Sequence, residues 1–450
     1  MNMNIKSSSS SGIIRTDKSP IVILGGGISG LTAAQAIKRR GRDYIILERC
    51  PTIGGLTRSI NVSEFCFDYT GHFLHLSHYS SPEDLPYASL DQTEWHKITR
   101  NSYCFVAGKL IPAPIQYNIG KLPEPIRKAC VDSYELRTIL QSEENRSFRD
   151  FIISGFGQEL ADIFLIPQNE KTMSVSLNRL SERAIRRFFP LPDEERIHAG
   201  IRGEASTYEY NTTFWYPRTG GIEKLVHGLS QGLRNIMINE EITRIDLKGK
   251  TVTTKSNRII SYSHLLSSIP LPSLCRMCSD KKLQKQAEYL SCGSTICINI
   301  GLRGPVPLAL KGIHWIYVPD RNIPFYRVGC YSNISEGTCA IGHHSLYVEV
   351  GVEAGEIYDA ENIDQLQSSV FRTLRDLGWL DPELVICTTI NIIDCSYVHM
   401  TPEREELIDS IVSHLKDGDV RLIGRYGQWD YISMEDCIRS AINVVEEILS

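Results

Sequence analysis

Near the start of the chain, a run of four apolar residues precedes a glycine-rich turn and then apolar positions at helical spacing. The run is Ile21–Leu24, the turn at 25–30 reads Gly-Gly-Gly-Ile-Ser-Gly, and apolar residues recur at 31, 34 and 37. A second apolar run, 44–47, ends at Glu48. Short apolar runs predict buried strands and a repeat of three to four residues predicts a helix. The pattern therefore predicts a strand, a helix and a second strand.

The same stretch has the glycine spacing and the terminal acid of a dinucleotide-binding βαβ unit. Gly25 allows a sharp turn, Gly27 lets a pyrophosphate approach the backbone, and Gly30 allows the helix and strand to pack closely. The phosphates would meet the free amides and the positive end of the helix. Glu48 can accept hydrogen bonds from both hydroxyls of an adenosine ribose. A simple tight turn is the alternative, and NAD and FAD both remain open at this point.

Two patterns extend over the rest of the chain. Helical spacing covers 147–166, begins again at 222, and covers 361–378 and 434–449, where Ser433 and Asp436 predict a capping box. Strand patterns predict a small meander at 241–245, 251–254 and 259–266. They also predict an antiparallel sheet from 295–300, 313–318, 325–331, 345–350 and 384–393, and a last strand at 420–423. The predicted fold class is α/β, with an α+β substrate region.

The order of these patterns predicts how the chain is divided. Residues 1–19 are polar and are predicted to be a disordered tail. A Rossmann-like nucleotide-binding domain is predicted to be discontinuous, formed by 20–78, 215–290 and 405–450. Residues 79–214 are predicted to be a mainly helical insertion that acts as a substrate or lid domain. Residues 291–404 are predicted to form an antiparallel-sheet substrate domain.

Composition narrows the classes of partner. The 450 residues carry a formal net charge of −5, which does not favour nucleic acid. We predict a small-molecule substrate and no membrane span, because no apolar run approaches the roughly 20 residues that a span needs. Thirteen cysteines, an odd number, suit free thiols in a reducing cytoplasm. Cys275 and Cys278 form a lone C-x-x-C pair that we interpret as packing thiols, so no metal site is predicted. A homo-oligomer is compatible with the sequence.

A second group of candidate ligand-binding residues follows the βαβ unit. The glycine pair Gly54 and Gly55 would let the backbone pass close to a flat ligand, although a simple loop is the alternative. His72 stands in an aromatic run beside a glycine. It either reaches a ligand or is a hydrogen-bonded core histidine, and the local sequence does not favour one over the other.

Taken together, these motifs resemble the flavin amine-oxidase superfamily and, within it, the UDP-galactopyranose mutases. The resemblance covers most of residues 20–450 and includes the glycine-rich opening, the Gly54-Gly55 pair and the late Gly424-Arg425 turn. It also rests on segments 68–72, 112–119, 156–157, 163–171, 325–333, 347–350 and 424–431. It implies an FAD cofactor. It also implies a redox-neutral ring isomerisation of a sugar or nucleotide sugar through N5 of the reduced flavin.

The resemblance assigns roles to individual residues. It implies catalytic roles for His72, beside the flavin ring, and for Arg327, on a diphosphate. The cofactor-binding residues, from the βαβ reasoning and the resemblance together, are Gly25, Gly27, Ser29, Gly30, Glu48, Arg49, Gly55, Leu56, Thr57, Ile242, Gly424 and Arg425. The substrate-binding residues that it implies are Gln116, Asn118, Asn169, Lys171, Tyr326, Asn333 and Tyr431.

Four positions depart from the pattern of these mutases. Ala113 and Ile115 stand where the mutases have aromatic residues, and Ile166 and Asp430 replace arginines. Two lost cations would remove several kcal/mol of stabilisation, because charge-assisted hydrogen bonds contribute roughly 1.5–3 kcal/mol each. Two other functions therefore remain open: an FAD-dependent oxidase or dehydrogenase of an amine or alcohol in a biosynthetic pathway, and a non-catalytic flavin-binding protein.

Overall fold

The computed structural model describes residues 19–138, 146–182, 189–204, 212–355 and 358–450. The predicted disordered tail therefore lies outside the described residues, apart from residue 19. The described strands are β1 Ile21–Leu24, β2 Tyr44–Leu47, β3 Ser59–Val62, β4 Phe65–Asp68, β5 Trp95–Thr99, β6 Ser102–Val106, β7 Lys109–Pro112, β8 Thr213–Pro217, β9 Ile236–Met237, β10 Ile242–Asp246, β11 Thr251–Thr254, β12 Ile259–Ser261, β13 His264–Ser267, β14 Cys292–Arg303, β15 Trp315–Tyr317, β16 Arg327–Cys330, β17 His343–Glu353, β18 Val385–Val398 and β19 Val420–Leu422.

Helices lie between and around these strands. They are α1 Ile28–Arg39, α2 Ile126–Glu135, α3 Phe148–Phe156, α4 Gln158–Leu160, α5 Ile166–Met173, α6 Glu194–Ile201, α7 Glu223–Ser230, α8 Leu271–Met277, α9 Lys281–Ala287, α10 Tyr331–Ile334, α11 Ala360–Asp376, α12 Arg404–Lys416, α13 Gly424–Gly427 and α14 Met434–Leu449. A π-helical segment, Ala161–Leu165, joins α4 to α5. Within the described ranges, none of these helices has the length and apolar character required to cross a bilayer.

The predicted strand–helix–strand unit at the start of the chain is confirmed as β1, α1 and β2. These two strands belong to a five-stranded parallel sheet in the order β19-β13-β1-β2-β9. All four side chains of β1 are buried, which is typical of a strand covered on both faces. The capping box of α14 is also confirmed, because Ser433 and Asp436 bond each other's backbone amides. Helix α14 packs against α1 and covers one face of this sheet.

The predicted meander is confirmed only in part. Strands β10, β11 and β12 form an antiparallel three-stranded sheet, whereas β13 leaves it and pairs in parallel with β1. Leu265 and Leu266 are both 0% exposed, so both faces of β13 are buried, as in a central strand of a parallel sheet. The end of β13 thereby comes beside the glycine turn that follows β1.

A seven-stranded sheet has the order β18-β14-β17-β16-β15-β6-β7. Its antiparallel part, β14 to β18, agrees with the strands predicted between 295 and 393. Strands β6 and β7 come from the stretch that we predicted to be mainly helical, and β6 pairs in parallel with β15. The inward-facing side chains of β6 alternate with half-buried ones, which is a strand pattern that the neighbouring prolines obscured.

Helices α2 to α6 pack around a separate apolar core with the turn at 115–122. Ile115, Phe148, Ile152 and Leu160 are each at most 1% exposed there. The helical pattern predicted over 147–166 is confirmed, with an interruption at Gly157, whose φ is +82°. The domain boundaries given above remain predictions.

Candidate functional site

Four parallel strands end close together at one edge of the five-stranded sheet. The ends of β1 and β13 are joined by a hydrogen bond of 3.0 Å from the Ser268 amide to the Leu24 carbonyl. The ends of β13 and β19 are joined by a 2.9 Å bond from the Ile423 amide to the Ser267 carbonyl. In open α/β sheets, ligands bind outside the carboxyl ends of such strands. The predicted glycine turns at 25–30 and 424 both lie at this edge.

Two glycines allow these segments to approach each other. A Cβ on Gly30 would lie 2.0 Å from the carbonyl oxygen of Gly25, so any side chain would push α1 away from β1. Gly424 has a φ of +70°, and a Cβ there would lie 2.1 Å from the hydroxyl of Ser29. The early and late turns therefore lie against each other at this edge.

The amino end of α1 is open to an anion. Gly27 is its N-cap residue and offers no side-chain hydrogen bond, and the first turn contains no acidic residue. The unpaired amides of a first helical turn and the helix dipole favour a negatively charged group at this position. The second glycine pair lies opposite, since the Gly54 amide bonds the Gly26 carbonyl at 2.8 Å.

Glu48 lies at the end of β2 and is 7% exposed. Its two carboxylate oxygens accept hydrogen bonds from the amides of Gly26 at 2.7 Å and Cys50 at 2.8 Å. A carboxylate oxygen has two lone-pair directions, so each oxygen can accept one further bond from a ribose hydroxyl. This placement suits the predicted ribose contact.

The other predicted cofactor residues lie around this edge. Thr57 is buried and bonds the Gly54 carbonyl at 2.7 Å, while Leu56 is half-buried and Arg49 is exposed. Ile242 begins β10 and packs in the same apolar cluster as Leu24 and Leu47. The predicted contacts of these residues with a cofactor stay predictions.

His72 faces the two predicted arginines. Its pKa is lowered to about 4, chiefly by burial and further by Arg425 and Arg327, against the opposing effect of Glu349. The imidazole is therefore neutral at pH 7. Its Nδ1 atom is buried and has no hydrogen-bond partner among the described residues. A buried nitrogen without a partner is costly, so this atom is a candidate contact for a bound ligand.

Arg327 and Glu349 form a buried ion pair. Nε of Arg327 donates to Oε2 of Glu349 at 2.5 Å and Nη2 donates to Oε1 at 2.7 Å. Glu349 is 0% exposed and also accepts bonds from the Thr70 hydroxyl and, at 3.1 Å, from the Gly71 amide. Arg327 holds the pKa of the Glu349 carboxyl below its usual range despite burial. This network joins the sheet to the loop that carries His72.

The site prediction did not include Glu349, although the sequence contained a signal for it. The residue interrupts a run of apolar strand residues, and a buried carboxylate needs a cation. Arg327, on the next strand, is its direct cross-strand neighbour. Tyr397, which lies on the edge strand β18, was also missed, because its contact with the site depends on the pairing of distant strands.

Arg425 lies among three tyrosines at the opposite side of the site. Its guanidinium carbon is 4.2 Å from the ring centroid of Tyr431 and 5.6 Å from those of Tyr397 and Tyr426. Nη2 donates to the Ser396 carbonyl at 2.7 Å, whereas Nε is buried without a partner within the described residues. The rings of Tyr397 and Tyr431 lie 5.7 Å apart.

These features fit FAD. The glycine cradle, the open end of α1 and Glu48 can hold the pyrophosphate and ribose. Nδ1 of His72 and Nε of Arg425 are buried and lack a partner among the described residues, so both can bond a ligand. A cationic Arg425 and a neutral His72 would offer two different hydrogen-bonding partners to a flavin ring, and these contacts stay predictions.

The predicted substrate residues divide into two groups. Tyr431 lies against Arg425, Tyr326 is buried beside Glu349, and Gln116 is 2% exposed without a side-chain hydrogen bond among the described residues. The other four predicted side chains already bond the protein's own backbone carbonyls: Asn118 to Pro114, Asn169 to Leu165, Asn333 to Leu310 and Ile313, and Lys171 to four carbonyls. Direct contact of these four with a substrate would require an exchange of those bonds.

Among these four side chains, Lys171 makes the most hydrogen bonds to backbone carbonyls. Its ammonium donates to the carbonyls of Val318, Asp320, Ile323 and Phe325 at 2.6–3.0 Å. The group thereby holds the loop between β15 and β16, which ends immediately before Arg327. We assign it a positioning role.

Three of the four departures from the mutase pattern lie against the helical core. Ile115 and Ile166 are 0% and 2% exposed, and Ala113 packs against the same cluster. The carboxylate of Asp430 accepts a 2.7 Å bond from the Tyr431 amide and lies 4.0 Å from Arg404. The negative charge introduced at 430 is therefore partly offset locally.

One cluster has the composition of a metal site but already has internal partners. His78, Glu435 and Asp436 bring their ligand atoms within 4.8 Å of one another. Glu435 accepts bonds from the amides of Ser77 and His78, and Arg439 lies against the imidazole of His78. The cation and the occupied carboxylate oxygens disfavour a metal ion here.

Comparisons with known proteins agree with this geometry. A solved structure of reduced UDP-galactopyranose mutase superposes with a TM-score of 0.88 at 28% identity, covering 96% of this chain and 94% of that one. Cyclohexylamine oxidase from Brevibacterium oxydans IH-35A superposes with a TM-score of 0.64 at 13% identity, covering 96% of this chain and 100% of that one, which shows a shared fold.

Similarity to curated proteins is local. The Dictyostelium discoideum protein "Probable flavin-containing monoamine oxidase A" is 38% identical over 58 residues, 13% of either chain. An uncharacterised protein of Methanothermococcus thermolithotrophicus is 42% identical over 52 residues, which are 12% of this chain and 50% of that one. The chain thus spans half or less of the length of these curated relatives.

The model of one family extends over nearly the whole chain. Residues 28–449 match the family described as flavin containing amine oxidoreductase. This range includes Glu48, His72, Arg327, Arg425 and the tyrosines of the candidate site, and it begins just after β1 and the first three glycines of the turn. The chain belongs to this family of FAD-dependent enzymes.

Proposed function

We propose that this flavoenzyme acts on a sugar nucleotide or a related sugar diphosphate without net redox change. The observation that carries the proposal is the charge of the site. Arg327 and Arg425 contribute two positive charges, Glu349 contributes one negative charge, and His72 is neutral, so the groups around His72 sum to one positive charge. A positive, partly buried site favours an anionic substrate. The likeness to UDP-galactopyranose mutase supports the same class.

Arg327 is the residue that we expect to hold the diphosphate. Its bonds to Glu349 use Nε and Nη2, and Nη1 has no hydrogen-bond partner within the described part of the chain. Glu349 fixes the plane of the guanidinium, so Nη1 is presented in one orientation. Arginine binds phosphate through such a fixed, planar set of donors.

His72 is expected to act as a neutral hydrogen-bonding group. One imidazole nitrogen carries a proton and donates a hydrogen bond, and the other nitrogen accepts a hydrogen bond. The ring can therefore bond a ligand in either way without adding charge. When bound and reduced, FAD supplies a nucleophilic N5 and returns to the same redox state after each turnover. Tyr397 and Tyr431 form an aromatic wall that can stack on a flat base and exclude water.

The main alternative is oxidation of an amine or alcohol. It has support from the family as a whole. A protonated amine, however, would enter a site that already has an excess positive charge. The buried positions of Ile115 and Ile166 also weaken the argument that the pocket has changed its substrate, because these side chains belong to the helical core.

One experiment separates these functions. The purified protein, with FAD content measured by absorbance, is reduced with dithionite and supplied anaerobically with UDP-galactopyranose and other nucleoside diphosphate hexoses. The expected result is an isomer of unchanged mass, with no net consumption of electrons. Turnover that occurs only with oxidised enzyme and consumes dioxygen or another acceptor would refute the proposal in favour of an oxidase or dehydrogenase.

Arg327 provides the matched test within this assay. Arg327→Ala should abolish binding of the diphosphate sugar while FAD stays bound, and Arg327→Lys should retain part of it because the charge remains. If Arg327→Ala binds every diphosphate sugar with unchanged affinity, the proposed role of Arg327 is wrong.

A further inference from the structure

The loop between β15 and β16 wraps around one side chain of α5. The two ends of the loop meet, because the Val318 amide donates to the Tyr326 carbonyl at 2.9 Å. Nζ of Lys171 lies inside the loop and donates at 2.6–3.0 Å to four carbonyl oxygens, those of Val318, Asp320, Ile323 and Phe325. We call these four oxygens the carbonyl cage.

Three oxygens of the carbonyl cage depend on Lys171. Among the described residues, no backbone amide donates to the carbonyls of Val318, Ile323 or Phe325, whereas that of Asp320 also accepts the Ile323 amide at 3.2 Å. A carbonyl that is turned away from water needs a partner. The inward conformation of the loop therefore depends on the group that fills the cage.

The carbonyl cage has the composition of a site for a monovalent cation. An ammonium has three N–H donors for its four oxygens, so at least one proton is shared and the group acts chiefly as a point charge. The nearby carboxylates have other partners: Glu170 pairs with Arg321, and Asp320 accepts from the Asn322 amide at 2.9 Å. Shells of carbonyl oxygens replace the hydration shell of potassium, whereas calcium and magnesium sites use carboxylates.

Only the protonated form of Lys171 suits the carbonyl cage. Burial lowers the pKa of Lys171 to about 7, with an opposing effect of Asp320 and a further lowering by Arg321. A neutral amine would turn its lone pair toward a carbonyl oxygen. The measurements below are therefore made at pH 6.5, where the ammonium form predominates.

The carbonyl cage is close to Arg327 in the chain. Phe325 supplies its last oxygen, and Arg327 begins β16 two residues later. Between them, the Tyr326 amide donates to the Glu349 carbonyl at 3.0 Å, and Nε2 of Gln168 donates to the Tyr326 carbonyl at 3.1 Å. Order in the cage is thus passed along a short, fully bonded segment to the guanidinium.

We propose that the carbonyl cage is a binding site for a monovalent cation, that Lys171 fills it with a tethered ammonium, and that a cation in the cage orders the segment that presents Arg327. The first two parts are independent of the substrate, and the third rests on the diphosphate role of Arg327 proposed above. Lys171 is then a positioning residue whose charge a free potassium or ammonium ion can replace once the side chain is truncated.

The main test is hydrogen exchange by mass spectrometry on FAD-loaded Lys171→Ala, in matched ~0.1 M chlorides of potassium, ammonium and tetramethylammonium. Tetramethylammonium keeps the ionic strength but is too large for the cage. In its presence, we expect peptides that cover 318–327 to exchange at least tenfold faster than in the wild type. Potassium or ammonium should slow that exchange at least threefold. Equal exchange of Lys171→Ala in all three salts would overturn the proposal.

Two further variants separate charge from packing. Lys171→Met keeps much of the side-chain volume without the charge and blocks entry of an ion, so its 318–327 peptides should exchange fast in every salt. Lys38→Ala is the matched control, because it removes a single exposed bond to the Gly232 carbonyl. Its 318–327 peptides should exchange as in the wild type, and rescue of Lys171→Met by potassium would contradict the cage.

The link to Arg327 is tested by titration of the same samples with UDP. Lys171→Ala should bind UDP at least tenfold more weakly than the wild type in tetramethylammonium, and potassium should recover part of the loss at unchanged FAD content. Unchanged UDP affinity beside faster exchange would refute the third part of the proposal. A wild-type protein that does not bind UDP would refute the role of Arg327 alone, because the exchange measurement decides the cage by itself.

The wild-type protein provides a test that does not depend on the folding of Lys171→Ala. In protein labelled with ¹⁵N-lysine, the caged ammonium should give an NMR signal whose hydrogens exchange at least tenfold more slowly than those of exposed lysines. The signal should be absent from Lys171→Arg, and the absence of any protected ammonium from the wild type would overturn the proposal.

Discussion

Removal of the negative charge from Glu349 is the sharpest test of the site, because the change keeps the shape of the side chain. Glu349 accepts four hydrogen bonds: two from Arg327, one from the Thr70 hydroxyl and one from the Gly71 amide. In Glu349→Gln, an NH2 group replaces one of the two carboxylate oxygens. This NH2 group would face donors that need an acceptor. Arg327 would also remain buried without its counterion.

The magnitude follows from the burial of the pair. The side chain of Glu349 is 0% exposed and that of Arg327 is 15% exposed, so water cannot replace the lost partner. Removal of one partner of a buried ion pair costs about 3–5 kcal/mol. We expect Glu349→Gln to reduce the free energy of unfolding by about 4 kcal/mol, whereas the exposed pair of Glu124 and Arg127 should contribute less than about 1 kcal/mol.

The assay is equilibrium unfolding in urea at pH 7, with FAD content matched between proteins. Glu124→Gln is the control variant, and the double variant Arg327→Gln/Glu349→Gln completes a thermodynamic cycle. We expect the double variant to be more stable than the sum of the two single effects predicts, because it leaves no unpaired buried charge. A cost below about 1 kcal/mol for Glu349→Gln, or strictly additive effects, would refute the reasoning.

The pH dependence of the free energy of unfolding gives a second test of the Arg327–Glu349 ion pair. The pKa of Glu349 is lower in the folded protein than its ordinary value. The unfolded chain therefore takes up this proton first as pH falls, and the stabilisation is lost below the ordinary carboxyl range. Glu349→Gln should lack this contribution to acid unfolding, which a urea titration repeated from pH 7 to pH 3 would measure.

Three further predictions concern single side chains. Glu48→Ala should lower FAD retention at least tenfold after gel filtration, because we expect both carboxylate oxygens to bond the ribose, and a fully loaded variant would contradict that assignment. Lys171→Met should destabilise the protein by about 2–4 kcal/mol in urea, since it leaves three half-buried carbonyls without their donor, whereas Lys38→Met, which removes an exposed bond to Gly232, should not. The pKa of His72 is about 4, so the unfolded chain binds a proton that the folded chain does not between about pH 6.5 and pH 4. Stability should therefore fall by up to about 3 kcal/mol as pH decreases through this window, and an unchanged slope in His72→Gln would exclude His72 as the cause.

The local parts of this site could be predicted from the sequence. The strand, the glycine turn, the helix and Glu48 are contiguous, and each has a task that only its residue type and spacing perform. The same holds for the capping box of α14, whose two residues are three positions apart. In such segments the chain neighbours of a residue are also its neighbours in space, so spacing carries the geometry.

Contacts between strands that are distant in the sequence could not be predicted from residue spacing. The partners Arg327 and Glu349 are opposite each other only because β16 and β17 pair in one register. A shift of register by one residue would turn each of these side chains to the other face of the sheet. Lys171 shows the converse case: a cation at a matching position in the sequence whose donors are used by the protein itself.

The fold also shows how the replacement of two arginines by Ile166 and Asp430 affects the charge of the site. Ile166 occupies its position within an apolar core, where a cation would have to be desolvated, so the replacement belongs to the packing of the helical region. At Asp430, Arg404 approaches within 4.0 Å and anchors itself on the carbonyl of Trp429 at 2.8 Å. The negative charge of Asp430 is therefore partly offset, and the repulsion of a diphosphate is smaller than the substitution alone implies. Since Arg327 and Arg425 remain beside a neutral His72, the site keeps the excess positive charge that an anionic substrate requires.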